Sequence, residues 1–247
     1  KTMLRSELRV DVVIPVYNEE RALPPSIAAL HAFLGAELPV NWQIVIADNA
    51  SVDRTPEVGR SLAERYDRVS YLRLEQKGRG RALRRAWSTS DADIVSYMDV
   101  DLSTNLSAFV PLVEAIGSGG YDVAIGSRLK RGARVKRQWK RELISRGYNL
   151  LILLFFPRRT FSDAQCGFKA VSRRAVDELL PLVENNHWFF DSELLLRAEQ
   201  HGYGIFEVPV DWVEDLDTRV KIASTAWEDV KGLLRVRFTP KEGRTVG

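Results

Sequence analysis

Ile94-Val-Ser-Tyr-Met-Asp-Val-Asp101 is the stretch around which the rest of the chain can be read. A strand-like run of five residues empties into two acids. Residues two apart on an extended segment point the same way, so Asp99 and Asp101 present neighbouring carboxylates. Two like charges held close repel, and a divalent cation beside them relieves the repulsion. A pair of solvated loop acids is the alternative. The position directly after an apolar strand favours the paired reading.

The same pattern recurs on either side. Val10 to Val16 reads as a buried strand, followed by Leu23, Ile27, Leu30 and Leu34 at helical spacing. Pro24 and Pro25 suit the first turn of that helix. Gln43 to Ala47 is a second strand ending at Asp48-Asn49, and Thr55 is expected to cap a helix with Pro56 at its first position. Val69 to Leu74 is a third strand. A Gly78-Arg-Gly80 turn opens a helix over Arg79 to Ser88, and Ile94 to Met98 is the fourth strand. A helix near Ser107 to Ile116 leads to a fifth strand, Asp122 to Ile125. Strands alternating with helices imply a mostly parallel sheet with right-handed crossovers and helices on both faces. Ligands of such sheets bind beyond the carboxyl ends of the strands. Tyr17, Glu19, Asp48, Asp99 and Asp101 all fall there.

The second half is less regular. It holds a Gly167-Phe168 turn region, a helix from about Asp191 to Gln200, a strand Ile205 to Val210, and an amphipathic segment from Ala223 to Phe238.

The 247 residues, 45% of them hydrophobic, suffice for one large α/β core. A net charge of only +3 gives no sign of a nucleic-acid binder. The distribution says more: nine Lys or Arg lie between Arg128 and Arg146 against the single acid Glu142. Such a block is a solvated face or, beside an apolar helix, a surface for anionic lipid or phosphate. The apolar run Leu150 to Phe156 follows directly. It is far short of the roughly 20 residues that cross a bilayer, and reads either as a buried helix end or as an interfacial segment. One cysteine, Cys166, excludes an internal disulfide and suits a reducing compartment.

Five motifs in register resemble the family 2 glycosyltransferases: Val13-Ile-Pro-Val-Tyr-Asn-Glu19, Asp48-Asn-Ala-Ser-Val-Asp-Arg-Thr55, Lys77-Gly-Arg-Gly80, Asp99-Val-Asp101 and Gly126-Ser-Arg128. The resemblance is greatest to the polyprenyl- and dolichyl-phosphate hexose synthases and runs from about Val10 to Ile222. It implies a GT-A fold over residues 1–222 and an amphipathic, membrane-facing segment over 223–247. It implies transfer of a hexose, from UDP-glucose or GDP-mannose, to a polyprenyl phosphate at the cytoplasmic face of a membrane, with Mg²⁺ or Mn²⁺ as cofactor.

The resemblance also assigns residues. Pro15, Tyr17 and Glu19 would line the nucleotide pocket, with Lys77 near its phosphates, and Asp48 would bond the base. Asp99 would face the donor and Asp101 would ligate the metal, with Asp99 beside it. Arg128, Arg141, Ser145 and Lys221 would hold the acceptor phosphate, Arg128 with a catalytic part alongside Asp99 and Asp101. Gln165, within Asp163-Ala-Gln-Cys-Gly-Phe-Lys169, would border the sugar. Asp191 and Glu193 stand where the family places sugar-contacting acids, and one of them instead caps the helix on a purely local reading. A glycan-hydroxyl acceptor would require one of these two as general base. A non-catalytic membrane-surface protein is the reading from another class. Two features depart from the mannose synthases: Ser103 stands in place of a metal-binding Gln, and Asp215 and Asp217 stand where those enzymes carry arginines.

Overall fold

β1 (Arg9–Val16) and β2 (Asn41–Asp48) run parallel in full register, with Val16 opposite Asp48. Both strands therefore release the chain at the same edge of the sheet. β3 (Val69–Arg73) extends this side beyond β2, and β4 (Ile94–Met98) pairs with the other flank of β1. The order of strands reverses between β1 and β4, which is where open α/β sheets leave a crevice for ligands. The computed structural model describes residues 4, 7–136, 138–213 and 222–239, with backbone alone at 140, 141 and 222–226.

The second half completes the sheet in a way its sequence hides. β5 (Val123–Ser127) does not pair with β4. β7 (Phe168–Ser172) inserts between them, antiparallel to both, and β8 (Ile205–Pro209) adds to β5 in parallel. The seven-stranded order is β3-β2-β1-β4-β7-β5-β8. Phe168, expected in a turn, is instead the first and fully buried residue of β7. β6 (Arg134–Lys136) and β9 (Asp211–Val213) form a small parallel ribbon.

Alternation along the strands sends side chains to two cores. Val10, Val12, Ile14 and Val16 pack under α1 (Leu23–Glu37), α2 (Thr55–Arg65) and α4 (Phe109–Gly117). Val13, Val95 and Tyr97 face α3 (Arg79–Thr89), α6 (Arg173–Leu179) and α7 (Phe190–Gln200). α5 (Trp139–Phe155) and α8 (Ile222–Phe238) close this second face. Thr55 does not cap α2: Arg54 holds the cap position, the Thr55 N–H donates to Asp53 at 2.9 Å, and the Thr55 hydroxyl accepts from the Glu19 N–H at 2.8 Å. A local signal is here spent on a contact between loops.

α8, which begins the segment expected to be separate, shares the main core. Leu233 and Val236 are fully buried, and Gly232 lets the helix ride on the Phe189 ring, which a Cβ there would meet at 2.3 Å. Arg235 bonds Glu193 of α7 at 2.8 Å. Asp229 is buried on the inner side of α8, and burial, with Glu228 adding to it, pushes its carboxyl up to about 7. An acid whose pKa is raised by folding costs stability as pH climbs from its ordinary value through the raised one. Asp229→Asn is therefore expected to raise the melting temperature by several degrees at pH 8 and by clearly less at pH 5, as read by thermal denaturation at the two pH values.

Candidate active site

The loops leaving β1 and β2 are knitted to each other. Asn18 N–H donates to Ser51 Oγ at 3.0 Å, Val52 N–H returns to Asn18 Oδ1 at 2.9 Å, and Gly78 N–H donates to Asn49 Oδ1 at 2.5 Å. Asn18, Ala50 and Leu102 hold left-handed backbone, with φ of 55°, 59° and 49°. Each lies just past the carboxyl end of β1, β2 or β4. Non-glycine residues persist in this region only where neighbours over-determine them, and such positions concentrate at functional sites.

These loops gather the residues expected on the nucleotide side. Pro15, Tyr17 and Glu19 are half-buried at the end of β1. The Lys77 ammonium lies over the Tyr17 ring, 3.4 Å from its centre. Asp48 is wholly buried and accepts from the Tyr71 hydroxyl at 2.6 Å, Arg73 at 3.0 Å and the Ser51 N–H at 2.9 Å. Burial, reinforced by that bond to Asp48, pushes the Tyr71 hydroxyl up to about 12. Asp48 thus anchors the floor of this corner through Tyr71 and Arg73.

Asp99 and Asp101 border a small cleft with Ser103, Thr104, Gly167 and Trp212. Asp101 is exposed and takes the Ser103 N–H at 3.0 Å. The Asp99 carboxylate lies directly on the Cα of Gly167: a Cβ there would fall 1.8 Å from Asp99 Oδ2. The Asp99 N–H donates to the Gly167 carbonyl at 3.2 Å. Among the described residues no third His, Cys, Asp or Glu gathers with the two acids. One or two carboxylates with water and substrate phosphates suit Mg²⁺ or Mn²⁺, hard cations that keep much of their shell from solvent and substrate. The two carboxylates, with the Ser103 and Thr104 hydroxyls in the same lining, therefore fit that group.

Behind Asp99 lies a pair of cations that sequence reasoning missed. Arg79 forks between two acids, Nη2 to Asp99 Oδ1 at 2.7 Å and Nη1 to Asp191 Oδ2 at 2.6 Å. Its guanidinium faces Tyr97 at 4.8 Å and Trp188 at 5.2 Å. Lys169 is fully buried in β7, 3.4 Å from Asp191 and 3.2 Å from the Tyr97 hydroxyl, which itself bonds Asp191. Burial alone would raise the Asp191 carboxyl, but Lys169 and Arg79 outweigh it and hold it below the usual range. The signal that pointed here was an arginine between two glycines, visible but unassigned. Neither Asp191 nor Glu193 caps α7: Phe189 occupies that position. Glu193 is buried and collects the N–H groups of Glu184 and Asn185 at 3.2 and 2.9 Å, besides Arg235.

On the opposite side of the cleft Arg128 is almost wholly buried. Nε and Nη2 fork onto Asp163 at 2.7 and 2.9 Å, leaving Nη1 outside the fork, and the guanidinium stands 5.4 Å from the Trp212 ring centre. Burial raises Asp163, but the Arg128 charge and hydrogen bonds prevail and lower it. Ser145 is buried on α5, and its hydroxyl meets no partner among the described residues. Gln165 is exposed, its N–H on Asp163 at 3.1 Å. The side chain of Arg141 and the whole of Lys221, with Asp215 and Asp217, lie outside the described residues. Cys166 is fully buried, and burial pushes its thiol up to about 12, which suits packing and not nucleophilic attack.

Residues 11–180 match the family described as glycosyl transferase family 2. The chain belongs to this family. It is 40% identical over 217 residues to glycosyltransferase AglD of Haloferax volcanii, a match covering 87% of this chain but only 35% of that protein. It is 27% identical over 251 residues to the dolichyl-phosphate beta-glucosyltransferase of Saccharomyces cerevisiae, covering 94% of this chain and 75% of the relative. The enzyme of the same name from Drosophila melanogaster is 30% identical, with 84% and 68% covered. Glucosyl-3-phosphoglycerate synthase of Mycobacterium tuberculosis, solved with UDP, shares the fold at a TM-score of 0.73 and 22% identity over 96% of this chain and 82% of that one. This family 2 glycosyltransferase accordingly has the GT-A-like architecture, a mostly parallel sheet flanked by helices.

The contact between Asp99 and Gly167 gives a direct test. Gly167→Ala must displace the Asp99 carboxylate by more than 1 Å, and misplacements of that size cost about 100-fold in rate. Sugar transfer by the variant is expected to fall by at least about that factor while its circular dichroism spectrum stays that of the parent.

Proposed function

We propose that this glycosyltransferase moves glucose from UDP-glucose to the phosphate of a polyprenyl phosphate, with inversion, GDP-mannose being the competing donor. The observation that carries the acceptor assignment is the placement of Asp191 and Glu193. A hydroxyl acceptor must lose its proton to a base. Asp191 has both carboxylate oxygens engaged by Arg79, Tyr97 and Lys169 and is held ionised as their partner. Glu193 is buried against backbone and Arg235. Neither is in position to serve an incoming hydroxyl. A lipid phosphate is already an anion, needs no base, and needs only to be held in line with the anomeric carbon.

The residues divide the work as follows. Tyr17, Lys77, Pro15 and Glu19 take the nucleotide, with Asp48 at the base end. Mg²⁺ or Mn²⁺, held by Asp101 with Asp99 beside it, would supply charge neutralisation for the departing nucleoside diphosphate. Arg128, kept rigid by Asp163, offers Nη1 to the acceptor phosphate, and the Ser145 hydroxyl, without a partner among the described residues, offers a further donor. Arg141 and Lys221 add cations to the same group. The relatives named dolichyl-phosphate beta-glucosyltransferase support glucose as the sugar and a polyprenyl phosphate as the acceptor.

The lipid tail calls for an apolar approach. No helix among the described residues is long and apolar enough to cross a membrane. Leu143, Leu150 and Leu154 on α5 stand 65%, 56% and 71% exposed, and Trp227 and Phe238 on the neighbouring α8 are exposed as well. These residues support a membrane-facing surface on α5 and α8, with Arg146 and Lys231 for anionic headgroups; the cytoplasmic side is proposed from the family resemblance alone.

Radiolabelled glucose from UDP-glucose should pass to polyprenyl phosphate, and EDTA or Asp101→Ala should abolish transfer. Transfer at full rate under either condition would rule out the metal-assisted reading. Asp191→Asn should slow transfer without shifting the acid limb of the pH–rate profile, whereas a true general base would take that limb with it. Leu150→Glu with Leu154→Glu should reduce co-sedimentation with vesicles containing anionic lipid, leaving the melting temperature near that of the parent.

A further inference from the structure

Arg79 stands at the meeting point of three segments that are far apart in sequence. Gly78 and Gly80 flank it, and both are required by close approach. A Cβ on Gly78 would fall 2.6 Å from the Asn186 carbonyl oxygen, and one on Gly80 would fall 2.7 Å from Phe190 Cβ. The start of α3 is therefore pressed onto the segment leading into α7. Arg81 N–H donates to the same Asn186 carbonyl at 3.1 Å. With its backbone clamped and its guanidinium between Tyr97 and Trp188, the Arg79 side chain, 10% exposed, has little freedom. It spends that rigidity on Asp99, whose side chain is 46% exposed at the cleft.

We propose that Arg79 is a positioning residue for the sugar-transfer site, acting through Asp99. The fork holds Asp99 Oδ1 at the rear of the cleft and offsets its charge. Asp101 lies exposed at the cleft and takes the Ser103 N–H. Asp99, pinned between Arg79 and Gly167, keeps a fixed carboxylate edge beside it. Asp191 is the counterweight. It takes the second arm of the fork and is itself balanced by Lys169. Two buried cations thus meet two carboxylates, and only Asp99 faces the cleft.

This inference rests on reading Asp99 and Asp101 as cation-facing acids, and not on the identity of the acceptor. It is tested by titrating Mn²⁺ alone, without donor or lipid, and following the free-ion electron paramagnetic resonance signal. Arg79→Gln removes a positive charge next to Asp99 and frees that carboxylate, so Mn²⁺ affinity should tighten by about 10-fold. Adding Asp99→Asn to the same chain should cancel the gain. Loss of structure would weaken binding, so tightening separates a positioning role from a merely architectural one. Unchanged or weaker affinity in a folded Arg79→Gln protein overturns the proposal. Arg79→Lys retains the charge but cannot fork, because an ammonium is a point donor. It should bind Mn²⁺ near the parent affinity while turnover of UDP-glucose, by transfer or hydrolysis, falls at least about 10-fold. Parent-level turnover in Arg79→Lys also overturns the proposal, and that variant decides the matter if Arg79→Gln does not fold. Failure of lipid transfer alone, with the Mn²⁺ shift present, would count against the acceptor assignment and not against Arg79.

Discussion

A carboxylate placed at the carboxyl end of a buried strand must find a partner or leave the protein interior, and the fork of Arg79 is how this molecule meets that demand. Burying charge is costly unless each ion is paired and its hydrogen-bonding capacity is met. Arg79 satisfies two acids with one planar group, which a lysine cannot do. The arrangement fixes Asp99 where the cleft needs it and, through Asp191, secures the first turn of α7. Gly78, Gly80 and Gly167 are the steric price of that closeness, since each stands where a side chain would strike its neighbour.

The second charge pair plays a similar part across the cleft. Arg128 and Asp163 are both buried and bidentate, with Trp212 against the guanidinium. The cleft therefore has walls of matched charge, and an exposed acid, Asp101, at its mouth. Preorganised groups of this kind need not reorient when charge develops on a substrate, which is where most electrostatic assistance in enzymes originates.

The first half of the fold was legible because each strand is a short apolar run and each helix keeps its period. Val10 to Val16, Gln43 to Ala47 and Ile94 to Met98 all lie within observed strands. The motif acids were legible for the same reason: they end those strands. β7 was not, because Phe168 to Ser172 includes a lysine that is buried against Asp191 and Tyr97 as well as the nearby Cys166 carbonyl, and the first two contacts are ones no local pattern discloses. Arg79 was hidden likewise; its partners lie on other elements. On a purely local reading one of Asp191 and Glu193 caps the helix, whereas tertiary pairing turns both inward.

The antiparallel insertion of β7 has a consequence for how the protein is made. β1 to β4 form a contiguous block that is synthesised before the rest of this sheet and is able to pair as it appears. β5 has no place in the sheet until β7 has been synthesised, because β7 separates it from β4. Asp99 therefore waits for Gly167, and Arg79 waits for a residue 112 positions downstream. Loop closure over such separations is slow relative to local pairing. The β1 and β2 side of the cleft can be in place while its rear wall is still unmade, so the nascent chain acquires its shape before it completes the cleft.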